Sequence, residues 1–426
     1  VQLAGSMGGV AKGKAMADGS AESISRAAGI DAGDGDDVID ASMNDIITYA
    51  ESTSDSESVS VSLAGSVGLA SGSSVADASA ASTAYASGIG GGQGKDTIEN
   101  DSEIESTAKA GAEATATSVG VTIGVGSAEV IGTGDSSATA RAKATGIEGG
   151  EDDDDITNTA VITVGGPDKQ GPMANAQAGA TSVTVGLAAG LNTAEASSNA
   201  AAIAEVNAFG ISGGSGDDVI DNTGDINVKP DPQGTGIMAN ASAESTTVDI
   251  SLTVGASLGE ASSDTSSAAV VNLAGISGGS GNDTIVNSGN IIAGRDFSDS
   301  ENPEAMASAT AGSETFSVGL TVGGSFKDAS SNASAKADSK ATGIETGLGD
   351  DIVNNTGDIN AFSSSAALGS AKAEKVSLTI GALEGAVKSE AVSLSTALAT
   401  GIESGEDADI IDTDSDIVVK AFSVST

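Results

Sequence analysis

Cysteine, histidine and tryptophan are absent from the 426 residues, aromatic residues make up only 2%, and arginine occurs only as Arg26, Arg141 and Arg295. Without cysteine there is no disulfide framework and no thiol nucleophile. Without histidine the usual general base and zinc ligand are missing. Lys and Arg total 17 against 60 Asp and Glu, a net charge of −43, which excludes the basic surfaces that nucleic acid requires. No run approaches the roughly 18 apolar residues of a membrane span, and no positively charged segment with an apolar core opens the chain. Self-repulsion of this size opposes compaction unless cations or salt offset it. With 38% hydrophobic residues and so few aromatics, the core must be built from Ala, Val, Ile and Leu at close backbone spacing.

What is abundant is repetition. A Gly-Ile, Gly-Gly, Asp-rich turn begins at Gly29, Gly88, Gly146, Gly210, Gly275, Gly343 and Gly401, with spacings of 58 to 68 residues. Such self-similarity signals a repeat architecture in which each unit buries its apolar face against its neighbours. Residues 1–426 are therefore expected to form a single continuous array with part-repeats at both ends: Val1-Gln2-Leu3-Ala4-Gly5-Ser6 matches the mid-repeat Val61-Ser62-Leu63-Ala64-Gly65-Ser66. Joining Thr426 to Val1 would make a spacing slightly shorter than the shortest internal one. An excerpt of a longer repeat protein accounts for this, and so does head-to-tail assembly in which each copy completes its neighbour's repeat.

Between the turns the apolar period is two, which argues for strand rather than alanine-rich helix. Ala138, Ala140, Ala142 and Ala144 share one face, opposite Thr139, Arg141 and Lys143. A Val/Leu/Ile run of opposite parity follows a second alanine run in each repeat, as in Ala112, Ala114 and Ala116 followed by Val119, Val121 and Ile123. If both runs face one core, the shift marks a corner or bulge. The expected fold is all-β, a parallel β-solenoid of seven repeats. One coil per repeat would be about 200 Å in perimeter, at roughly 3.3 Å per residue. Two or three smaller coils per repeat, or a string of small sandwiches, would also fit the spacing.

The centre of each turn is Gly-Gly-x-Gly-x-Asp-x-Ile. It is intact as Gly91-Gly92-Gln93-Gly94-Lys95-Asp96-Thr97-Ile98, as Gly213-Gly214-Ser215-Gly216-Asp217-Asp218-Val219-Ile220, and as Gly278-Gly279-Ser280-Gly281-Asn282-Asp283-Thr284-Ile285. These segments resemble the RTX (haemolysin-type) calcium-binding nonapeptide repeats, and the resemblance implies Ca²⁺ held by turn carbonyls and an Asp carboxylate in a stacked β-roll. It covers about nine residues per repeat, and it departs from the family's spacing of one turn every nine residues. Ala32 and Thr346 replace the first glycine, Ser404 does so in the last copy, and Asp152 and Asp407 replace the third.

Independently of the resemblance, Ca²⁺ takes six to eight hard oxygen ligands, and glycine-rich turns can present carbonyls because glycine tolerates positive φ. The candidate metal residues are the fixed Asp37, Asp96, Asp154, Asp218, Asp283, Asp351 and Asp409, with the preceding Asp36, Asp153, Asp217, Asn282 and Asp350. The turn glycines Gly92, Gly94, Gly214, Gly216, Gly279, Gly281 and Gly349 complete the set. The Ile or Val two residues after each fixed Asp is expected to plug the core. Two other readings remain: Gly/Asp turns as plain strand reversals, and surplus carboxylates as an adaptation to salt. Downstream, Asp221-Asn222-Thr223-Gly224-Asp225 and Val286-Asn287-Ser288-Gly289-Asn290 read as a second turn, with an asparagine ladder as the alternative.

No enzyme is expected. Serine lacks an imidazole partner, and paired carboxylates suited to glycoside cleavage come without stacking aromatics. An acidic motif present seven times is also unlike an active site, which occurs once. The chain reads as an extracellular or cell-surface structural protein, a calcium-stabilised β-solenoid in a surface filament, adhesin, S-layer or matrix fibre. The expected partner is itself, end to end. The alternative is the stalk or binding module of an adhesin that recognises glycan or another surface, although no Thr-x-Thr column recurs at one repeat position.

Overall fold

Alternating small and polar residues over some twenty positions, broken only at glycine clusters, favour long strands. The computed structural model describes residues 1–7, 9–42, 44–165, 173–229, 238–296 and 305–426, and in these it is all-β and parallel, a β-solenoid. Ile30 aligns with Ile89, Ile89 with Ile147, Ile211 with Ile276 and Ile276 with Ile344. Each strand thus pairs with the strand one repeat away, so one repeat is one coil.

The wide perimeter is accommodated by flattening. Each coil has a front arm that runs into the glycine-aspartate turn, a short strand after the turn, and a return arm antiparallel to the front arm. In the first complete coil these are Val10–Asp34, Val38–Ala41 and Ile46–Ser66; in the second they are Leu69–Gln93, Thr97–Asn100 and Ile104–Gly124. In two coils the return arm continues around the far tip into the next front arm as one strand, Ala239–Ser280 and Ala307–Leu348. The seven short strands form their own parallel sheet along the turn edge.

The spacing varies because residues are inserted at one place. Ile104 aligns with Ile162, but Ala110 aligns with Ala174, so six extra residues fall between Val164 and Ala174. The other long repeats carry theirs at the equivalent place, after Ile226–Val228 and after Ile291–Ala293.

The two arms face each other across small side chains. Near the turn the core is alanine and isoleucine: Ala108, Ala110, Ala112, Ala138, Ala140 and Ala142 are buried, with the columns headed by Ile89, Ile98 and Ile104. The glycine that opens each turn, three residues before the Gly-Gly-x-Gly motif, is fixed by this packing. A Cβ on Gly88 would lie 2.4 Å from Ile104 Cγ2, and one on Gly210 would lie 2.3 Å from Ile226 Cγ2. Six of the seven plugs after the fixed Asp are buried as expected, Ile39, Ile98, Ile156, Ile220, Ile285 and Val353, whereas Ile411 in the last coil, which has no described coil stacked beyond it, is exposed.

Toward the far tip the structure departs from the expected corner. Ile104–Gly124 is one continuous strand whose buried face runs Ala112, Ala114, Ala116, Ser118, Gly120 and Thr122. Parity does not change, and Val119, Val121 and Ile123 point outward. The interior there is hydroxyl-lined. Ser74 Oγ donates to Ser60 O at 2.8 Å and Ser82 Oγ to Ser52 O at 2.7 Å, so inward serines cross-link the arms through main-chain carbonyls. A hydrogen-bonded hydroxyl can be buried at little net cost, which leaves the aliphatic residues for the outer face.

Coil stacking aligns those outward residues into columns. Val119, Val183, Val248 and Phe316 form one; Leu63, Val121, Val185, Ile250, Val318 and Val376 form the next; Ile123, Leu187, Leu252, Leu320 and Leu378 form the third. The outer face of the front arm is acidic instead, with Asp18, Asp77 and Asp135 aligned in one column that continues through Asn199 to Asp264.

Candidate functional site: the glycine-aspartate turns

Each front arm ends in a turn that needs positive φ twice. Gly92 and Gly94 both sit at +116°, Gly214 and Gly279 at +118° and +119°, Gly216 and Gly281 at +129°, and Gly349 at +126°. Stacking imposes a second constraint, because a Cβ on Gly92 would lie 1.9 Å from Gly33 O of the preceding coil. Where aspartate replaces the third glycine the backbone keeps a positive φ, at 74° for Asp152 and 86° for Asp407; these are the two non-glycine residues with positive φ among those described.

The fixed aspartates form one buried ladder. The N–H of Asp37 donates to Asp96 Oδ1, Asp96 to Asp154, and Asp154 to Asp218, each at 2.8 Å. Asp218 donates to Asp283 at 2.9 Å, Asp283 to Asp351 at 2.7 Å, and Asp351 to Asp409 at 3.0 Å. The Oδ1 of every fixed aspartate from Asp96 to Asp409 is thereby used. The other oxygen is not: Oδ2 of Asp37, Asp96, Asp154, Asp218, Asp283 and Asp351 is buried without a hydrogen-bond partner. In the intact turns Oδ2 lies over the first glycine, 2.5 Å from where a Cβ on Gly91 would be.

Three carboxyls of this ladder, those of Asp154, Asp218 and Asp283, resist ionisation. Burial pushes Asp218 up to about 7, opposed by the N–H from Asp154 and reinforced by the charges of Asp283 and Asp154. Asp154 and Asp283 rise to about 6, again chiefly through burial.

The preceding acidic residues form a second, exposed ladder with the opposite polarity. Lys95 N–H donates to Asp36 Oδ1 at 3.0 Å, Asp217 N–H to Asp153 at 2.9 Å, and Asn282 N–H to Asp217 at 2.7 Å. It continues from Asp350 N–H to Asn282 Oδ1 at 2.9 Å and from Ala408 N–H to Asp350 at 3.0 Å. The sequence-adjacent pairs are therefore split by strand alternation, one carboxylate inward and one outward.

Four residues beyond the fixed aspartate runs a third ladder. Asn100 Nδ2 donates to Asn158 Oδ1, Asn158 to Asn222, Asn222 to Asn287 and Asn287 to Asn355, each at 2.7 Å and all buried. Each Nδ2 also donates to the carbonyl two residues on, as Asn222 does to Gly224 O at 2.8 Å. The turn and the ladder weighed as alternatives are thus one device.

Calcium fits the inner column in donor type and charge, since every described turn from Asp37 to Asp351 offers one hard anionic oxygen with no other partner. Among the described residues no three acidic groups converge on one point, so the remaining ligands would be backbone carbonyls and water. No protein-family model, curated protein or solved structure matches the chain.

Two features escaped the sequence reading. One is the outward aliphatic band, whose only signal was the parity change. The other is an ion pair buried between the arms, Lys327 with Asp249, both side chains fully enclosed. Its signal is a lysine at an inward position of the strand pattern.

Proposed function

We propose that this chain is an extracellular structural protein, a calcium-stiffened β-solenoid that forms part of a surface filament, adhesin, S-layer or matrix fibre. The carrying observation is the stack of partnerless Asp Oδ2 atoms running from coil to coil. In the metal-free chain these oxygens carry a desolvation cost that a divalent cation would remove, so binding adds its free energy to folding. Extracellular calcium at millimolar levels suits sites with dissociation constants of about 10⁻⁴ to 10⁻³ M. The lack of histidine and cysteine and the repetition of one motif along the whole array support a mechanical rather than a catalytic role.

Electron microscopy of the purified chain in 2 mM-range calcium (about the extracellular level) and in EGTA tests this. Rods or fibres that lengthen end to end with calcium support the filament reading. Lone short rods in both conditions argue for a stalk, and unordered chain in both would refute the proposal.

A further inference from the structure

The return arm's outer face carries apolar columns that none of the described residues covers. Leu252 is 46% exposed, Leu320 45% and Leu378 68%, beside half-buried Val121, Val185 and Val318. At roughly 6.6 Å between outward residues and about 4.8 Å between coils, three to four columns over five coils span about 600 Å². That is the top of the range for the largest patch on a typical monomer. Toward the turn edge, Thr117, Thr181, Thr246 and Glu314 border the band.

We infer that this band is a self-association face, through which two copies of the chain pack return arm against return arm about a twofold axis. Two arguments select a second copy as the occupant. First, pairing identical patches buries about 1,200 Å² in total, the lower bound of specific interfaces. Second, the charge is placed to allow it. The outward carboxylates of the return arm, such as Asp55, Glu113, Glu244 and Glu314, lie on the turn side of the band, Glu374 continues the Phe316 column in the last coil, and others lie on the opposite surface at Glu129, Glu195, Glu260 and Asp328. Joining the apolar faces about an axis that runs along the coil stack sets the return-arm carboxylates to either side of the contact, so a strongly anionic chain can dimerise without placing those rows opposite one another. Because, among the described residues, only the return arm carries adjoining apolar columns, association stops at two laterally. This pairing is independent of calcium and of end-to-end growth.

The absence of cysteine allows a direct test on the full chain. Val185→Cys lies within the band, and Ser197→Cys lies on the outer face of the front arm. Under mild oxidation Val185→Cys should give a disulfide-linked dimer and Ser197→Cys should not. Light scattering of the unmodified chain should show twice 40.6 kDa, strengthening with salt. Ile250→Asp with Leu320→Asp should return it to monomer with unchanged circular dichroism. A monomer at every concentration, equal cross-linking at both faces, or a monomer that instead binds neutral phospholipid vesicles through the band would overturn the inference. If the Asp pair fails to fold, the cysteine comparison alone decides.

Discussion

Single residues in this fold answer to stacking as much as to their own coil. Asp152 occupies a left-handed position that the equivalent Gly94, Gly216 and Gly281 take freely. Asp152→Gly should therefore stabilise the chain by about 1 kcal/mol, read as a higher urea midpoint with an unchanged slope. Lys327 reaches Asp249 across the space left by Gly259, whose added Cβ would stand 3.2 Å from Asp249 Oδ2. Burial raises the Asp249 pKa and lowers that of Lys327, and each charge offsets the other's shift. Lys327→Ala alone should cost about 3–5 kcal/mol by stranding a buried carboxylate. The double variant Lys327→Ala with Asp249→Thr should recover most of the loss, because the preceding coil already carries Ala194 and Thr184 there. A double variant no better than the single one would show that the pair does more than satisfy itself.

At the scale of the strand, register is what the ladders enforce. Long alanine and serine strands have little shape by which to tell one alignment from its neighbour two residues away, and the asparagine column supplies that discrimination. Asn222→Ala would leave Asn287 Oδ1 without its donor and Asn158 Nδ2 without one of its two acceptors. A loss of about 1–3 kcal/mol is expected, with faster hydrogen exchange in Val219–Asn222 and its two neighbouring short strands. Exchange rates unaltered there would show that the column is incidental. Strand identity and the buried plugs were legible in the sequence, because period two and the Asp-x-Ile spacing each carry one meaning. The parity change before Val119 was not. Burying aliphatics is the default expectation, and it gave way here because inward serines such as Ser74 and Ser82 find carbonyls on the facing arm.

The same contrast holds for the whole molecule. Coil number per repeat could not be read from spacing alone, since about 60 residues fit one flattened coil or several small ones; the strand register decides it. The glycine-aspartate turns were legible as a set, but their division into a buried and an exposed ladder depends on strand alternation across the turn. That division sets the chain's response to pH. For Asp218, Asp154 and Asp283 the folded pKa lies above the ordinary 3.8, so the folded state binds more protons than the unfolded one between about pH 4 and 7. The metal-free fold should be stabilised at the acid end of that window and lose this contribution as pH rises through it.

On the proposed function, the buried aspartate column must be neutralised for the coils to stack, by cation or by proton. Melting temperature against pH, measured from pH 5 to 8 in low-salt buffer with EGTA and again with saturating calcium, tests it most directly. In EGTA the melting temperature should fall as pH rises, and calcium should raise it most at pH 8 and flatten the dependence. Superimposable curves with and without calcium would contradict it.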